Sequence, residues 1–242
     1  MNAPPHAGDP WLRRRAERLR ERMDDPRCDP ARLQRTYAQF AVVNQLVGAW
    51  RAAYARRLRP TLEAVQAEGR TPTLLDVGCG GGDLARRLAA WAARDGLPVR
   101  ITGADPDPRA LAYAQERASP PNVRFVAGDA ETLASRGHRY DLVVSNHVLH
   151  HLPDEAVAAF LTTTGRLSTR LALHADLRRT PLALPAFALI SWPFRRSFVR
   201  EDGFRSIRRA FTPAEVRLRA PARWRVEPLG PFRQWVVLRA RP

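Results

Sequence analysis

The chain has 242 residues, a formal net charge of +16 and two cysteines. That length supplies one sizeable core plus an extension, and neither a secretory h-region nor a long uncharged apolar run is visible, which predicts a soluble, cytoplasmic protein without a membrane span. All 40 basic residues are arginine and they alternate with acids, as in residues 13–18, so the charge reads as solvated helix faces rather than a phosphate-binding surface, and no nucleic-acid partner is expected.

In chain order, Met1 to Asp9 reads as disordered, and Leu12, Ala16, Leu19 and Met23 recur at helical spacing on a charged segment. Asp25-Pro26 and Asp29-Pro30 punctuate it. Leu33, Tyr37, Phe40, Asn44 and Val47 mark one face of a second helix, and Trp50, Tyr54, Leu58, Leu62 and Val65 that of a third or of a continuation. Asn44 interrupts its stripe with an amide, which fits a bond to a neighbouring backbone group or a ligand contact.

Leu74-Leu75-Asp76-Val77-Gly78-Cys79-Gly80-Gly81-Gly82-Asp83 then reads as a buried strand, a tight glycine turn and a helix start, the βα turn at which open α/β sheets hold nucleotides. Gly78 and Gly80 fit the first and third positions of a dinucleotide fingerprint, but the sixth is Asp83. An acid there repels a pyrophosphate. Asp76 suits a cationic ligand instead. A second strand, Val99 to Asp105, ends in a carboxylate able to accept two ribose hydroxyls. A helix from Pro108, a strand Val123 to Ala127, Gly128-Asp129-Ala130 and a strand Tyr140 to His147 follow, the last leading into Val148-Leu149-His150-His151-Leu152-Pro153. Beyond a helix from Asp154 to Leu167, Arg170 to Leu177 reads as a fifth strand. Pro181 to Phe198 is apolar and aromatic but broken by prolines, Arg200 to Gly203 reads as a turn, and Phe204 to Phe211 as helical. Thr212-Pro213-Ala214-Glu215 is a capped helix start, and the strands around Trp224 and Trp235 form a closing hairpin.

These ordered motifs, over residues 70 to 177, resemble the class I S-adenosylmethionine-dependent methyltransferases, more loosely those that accompany bacterial polyketide-type synthases. The resemblance implies an α/β, Rossmann-like, doubly wound, seven-stranded and mostly parallel sheet with an antiparallel last strand. It also implies a helical extension over 1–69 capping a domain over 70–242, with a lid insertion at about 178–211. S-adenosyl-L-methionine would be the cofactor, held by Asp76, Gly78, Gly80, Asp105, Asp129, Ala130 and Asn146. An apolar lid implies a small, largely apolar acceptor, phenolic or polyketide-like, contacted by Tyr37, Asn44, His147, Phe187 and Trp192 and methylated on oxygen. C-methylation of a quinone or polyketide-like ring is the alternative. A nucleic-acid methyltransferase and a non-catalytic partner are the other classes. His174, at the C-terminal end of the fifth strand where ligands collect in open α/β sheets, is the candidate base, because imidazole titrates near working pH. No convincing metal-ligand set emerges, so the expected enzyme is metal-independent; a monomer and a homodimer fit equally.

Overall fold

The computed structural model describes residues 12–47 and 49–239; the expected disorder of Met1 to Asp9 falls outside them. Among the described residues the strands are β1 (Thr73–Val77), β2 (Arg100–Asp105), β3 (Val123–Ala127), β4 (Tyr140–Asn146), β5 (Ser168–Leu177), β6 (Arg225–Leu229) and β7 (Arg233–Arg239). They form one seven-stranded sheet in the order β3-β2-β1-β4-β5-β7-β6. The first five run parallel, and β7 lies antiparallel to β5 and β6. Strand order reverses between β1 and β4, which opens a crevice at their carboxyl ends.

Alternation along each strand splits the core into two layers. Leu74, Ile101, Leu142, Leu173 and Val237 face one side, against the helices α2 (Trp50–Ala53), α3 (Arg59–Ala67) and α4 (Asp83–Arg94) and the π-helical stretch Tyr54–Leu58 between α2 and α3. Leu75, Val143, Ala172 and Val236 face the other, against α6 (Ala130–Ser135), α7 (Ala156–Leu167) and α10 (Pro213–Arg219). Thr212 and Glu215 form the capping box that starts α10, as their spacing predicts. α5 (Pro108–Gln115) follows β2, capped by Asp107.

Two expectations fail locally. Residues 13–29 are not helical despite their apolar spacing, because their polar groups are spent on tertiary partners. Ala16 N–H donates to Arg208 O, and the N–H groups of Arg22 and Met23 donate to the Asp202 carboxylate. The Arg15 guanidinium, far from being solvated, reaches Asp154 and the carbonyls of His150, Leu152 and Arg209. The segment is therefore an arm strapped across the carboxyl end of the sheet, ahead of α1 (Pro30–Val47).

The second failure is the turn expected at Arg200 to Gly203. Helix α9 (Val199–Arg209) runs through it. Gly203 is there for space: a Cβ would sit 2.0 Å from Cζ of Phe187 on α8 (Ala183–Ile190). Alanine normally favours a helix interior by roughly 1 kcal/mol over glycine. Here Gly203→Ala should instead destabilise the chain by about 1–3 kcal/mol through overpacking, and Phe187→Leu in the same chain should restore it, as read by denaturant unfolding.

Candidate functional site

A cavity of about 710 Å³ opens at the carboxyl ends of β1, β2 and β4 and runs beneath α1, the arm, α8 and α9. A more open depression at the amino ends of the same strands, lined by Arg70, Asp141 and Arg170, has its one acid Asp141 paired with Arg70. The chemistry lies in the first cavity.

Its inner half is the glycine turn. Gly78 has φ of 67°, a left-handed conformation, and a Cβ there would meet Val148 Cγ2 at 2.6 Å; the bare backbone lets the β4 loop close over the turn. Asp76 is buried beneath, and neither of its carboxylate oxygens has a hydrogen-bond partner among the described residues. Burial, then the nearby Asp83 and Asp105 carboxylates, push its pKa well above the usual carboxylate range. Burial raises Asp83 and Asp105 as well. Asn44 Nδ2 donates to Asp83 at 3.2 Å, so its partner is a side chain rather than backbone. Asp105 accepts from Gly80 N–H at 2.8 Å and Asp107 N–H at 2.9 Å, which ties the end of β2 to the turn. Three acids around one turn, Asp76 and Asp105 buried and Asp83 half-buried, with Asp76 unpartnered among the described residues, make a receptor for a cation.

The sequence-selected cofactor candidates Asp76, Gly78, Gly80, Asp105, Asp129, Ala130 and Asn146 all border this one cavity. Asp129 also caps α6 through Thr132 N–H and Oγ1. Tyr37, Asn44, His147 and Phe187 border the cavity too. Trp192 does not. Its side chain is turned to solvent, stacked under the Arg195 guanidinium, so its expected place on the acceptor is corrected. α8 spends its inward face on Phe187 and Ile190, and Trp192 falls past its end.

His174 is corrected likewise. It sits three residues before the end of β5 and faces the layer under α7, with its ring fully buried between Ser145 Oγ, 2.8 Å from Nδ1, and Thr164 Oγ1, 2.9 Å from Nε2. It is absent from the cavity wall, and burial lowers its pKa to about 3.

The outer half holds groups that sequence reasoning missed. Arg233, on β7, donates to Asn146 Oδ1 at 2.7 Å and to His147 Nε2 at 3.2 Å. That donation places the His147 proton on Nδ1. Burial and the Arg233 cation push the His147 pKa well down, and its backbone is held at φ 62°. His150 and His151 lie on a 3₁₀ turn after β4, with His150 Nδ1 2.7 Å from Asp176 Oδ1. The arm brings Glu21 against both rings, its Oε1 3.3 Å from Nε2 of His150 and 3.7 Å from Nε2 of His151. Nothing in the sequence around Glu21 distinguishes it from its charged neighbours. The ligand atoms of Glu21, His150 and His151 lie within 4.8 Å of one another, so the expectation that no ligand set exists is revised.

Residues 74–170 match a family described as a methyltransferase domain. The chain is 36% identical over 139 residues to a ubiquinone biosynthesis O-methyltransferase of Azorhizobium caulinodans, covering 56% of this chain and 47% of that one. It is 39% identical over 122 residues to the protein of the same description from a Methylobacterium species (strain 4-46), covering 46% and 45%. The chain thus spans about half the length of these curated relatives. Among solved structures, the plantazolicin methyltransferase BpumL, crystallised with SAH and a monoazolic desmethylPZN analog, superimposes with a TM-score of 0.51 at 14% identity, over 87% of this chain and 96% of that one. That likeness is one of fold.

Proposed function

We propose, from the premise that this chain is by domain and fold a class I S-adenosylmethionine-dependent methyltransferase, that it transfers a methyl group to oxygen on a small, largely apolar acceptor of phenolic or polyketide-like character. The observation that carries the reading is the unpartnered Asp76 carboxylate in the glycine turn, flanked by Asp83 and Asp105. Such a site fits a ligand with an ammonium and a sulfonium. Asp76, Gly78 and Gly80 would border its methionine part, Asp105 its ribose, and Asp129 and Ala130 its adenine, with Asn146 at the end of β4. When bound, the cofactor supplies a methyl group already activated as an electrophile.

The chain's own work is then to align the acceptor and exclude water. Phe40, Val43, Phe160, Phe187 and Ile190 give the outer cavity an apolar lining. We assign the closing role to residues 178–211 as a lid and to the arm and α1 as a cap, since these supply most of the outer wall. The apolar wall and the likeness to ubiquinone O-methyltransferases both favour an oxygen on an aromatic or quinone-like ring. Ring C-methylation is the second reading, because an activated phenol reacts at either atom.

Asp105→Ala should weaken S-adenosylhomocysteine binding by about 10- to 100-fold, the loss of hydrogen bonds to a charged group. Calorimetry checks this, and unchanged affinity removes Asp105 from the cofactor site. Incubation with a panel of phenolic polyketides and quinols, followed by product mass and methyl position, tests the acceptor; no product from any member sinks the acceptor class.

A further inference from the structure

We propose that Glu21, His150 and His151 form a binding site for a divalent transition-metal ion, of the zinc or cobalt type, at the outer end of the cavity. Two ligands about 2.1 Å from a tetrahedral ion lie about 3.4 Å apart. Glu21 Oε1 lies 3.3 Å from one imidazole nitrogen and 3.7 Å from the other, without rearrangement.

Each imidazole has a carboxylate on its far side, hydrogen-bonded to His150 and at ion-pair distance from His151. His150 Nδ1 faces Asp176 Oδ1 at 2.7 Å, and His151 Nδ1 faces Asp24 Oδ2 at 3.5 Å. The Asp176 hydrogen bond fixes the His150 tautomer and directs its Nε2 lone pair at Glu21. An ion pair between Glu21 and His150 alone has no use for the second backed ring. Ser206 Oγ donates to Glu21 Oε1 at 2.7 Å and holds the carboxylate in place. The side chains of Glu21 and His150 are almost fully buried, whereas His151 is 34% exposed, which gives an ion a way in.

Two nitrogens and one carboxylate select a borderline transition ion over magnesium, which prefers oxygen ligands. Three protein ligands leave a coordination position open, as in catalytic rather than structural zinc sites. All three residues border the cavity, so that position would take an oxygen of the acceptor. The last assignment rests on the methyl-transfer reading; the metal site does not.

The test uses the full chain stripped with a chelator and titrated with Co²⁺, read by visible absorption, and with Zn²⁺, read by calorimetry. One ion per chain and the ligand-field bands of a four- or five-coordinate site are expected. Glu21→Gln and His151→Asn should each weaken binding at least about tenfold, Asp24→Asn by less, and His138→Asn not at all. Absent ligand-field bands, affinity untouched by Glu21→Gln and His151→Asn, or binding of Mg²⁺ in place of Co²⁺ would each overturn the site. S-adenosylhomocysteine calorimetry on the same samples reports folding of the variants and tests the cofactor reading separately: cobalt binding without it leaves the metal site standing and removes the methyltransferase activity.

Discussion

Asp76→Asn should weaken S-adenosylmethionine binding by roughly thirtyfold, about 2 kcal/mol, and at the same time make the ligand-free chain more stable at neutral pH. Both effects come from one carboxylate. Asp76 is buried with no hydrogen-bond partner among the described residues, beside two further acids, and its pKa stands well above the ordinary value of 3.8. The unfolded chain ionises this acid at that ordinary value. Folding therefore loses stability as the pH rises through 3.8 and goes on losing it until the raised folded pKa is passed, at about 1.4 kcal/mol per pH unit. Asparagine has the same shape and nothing to ionise, so the loss disappears. A cationic ligand repays the same cost in the wild-type chain, which is why affinity and stability should move in opposite directions. Calorimetric titration and denaturant midpoints across pH check the pair. A variant that binds as tightly as wild type would separate Asp76 from the cofactor, and one that is less stable at neutral pH would refute the electrostatic account.

The cradle around Asp76 was legible because its parts are local. Asp76, Gly78, Gly80 and Asp83 lie within one strand, one turn and the first residue of one helix, Asp105 ends the next strand, and Asp129 caps the helix after the one that follows. Strand alternation and turn chemistry determine such positions from a few neighbours. The outer end of the cavity is different. Glu21 reaches His150 only because the arm is strapped to α9 and the 3₁₀ turn by bonds between residues far apart in the chain, among them Ala16 to Arg208 and Arg22 to Asp202. Its apolar spacing imitated a helix because Leu12 and Met23 do pack, but in separate clusters. Arg233 gave no signal either, since one arginine in a chain of arginines stands out only when its burial is known. In the segment after β5, which aromatic faces the cavity depends on an eight-residue helix and where it stops, and that admitted Phe187 and left Trp192 outside.

His174 shows the same limit within a strand, and its correction carries a measurable consequence. The wild-type chain should lose about 2 kcal/mol of stability between pH 7 and pH 5 through this one side chain. The imidazole is neutral in the fold, sealed between Ser145 and Thr164 and stacked beside Trp224, and burial takes its pKa from 6.5 down to about 3. In the unfolded chain it takes up a proton as the pH falls below 6.5, while the folded chain does not until about 3. A depressed histidine thus stabilises above its unfolded value, and its contribution drains away as the pH falls through that window. His174→Gln keeps an amide for the two hydroxyls and removes the titration. It should be less stable than wild type at pH 7, yet the gap should narrow steadily towards pH 5. Unfolding midpoints at matched pH values read the difference directly, with Asp76 and the other titrating groups common to both chains. A gap that stays constant would mean that His174 is not held neutral. Turnover should survive any substitution that folds, because a ring closed off beneath α7 has no path to the cavity.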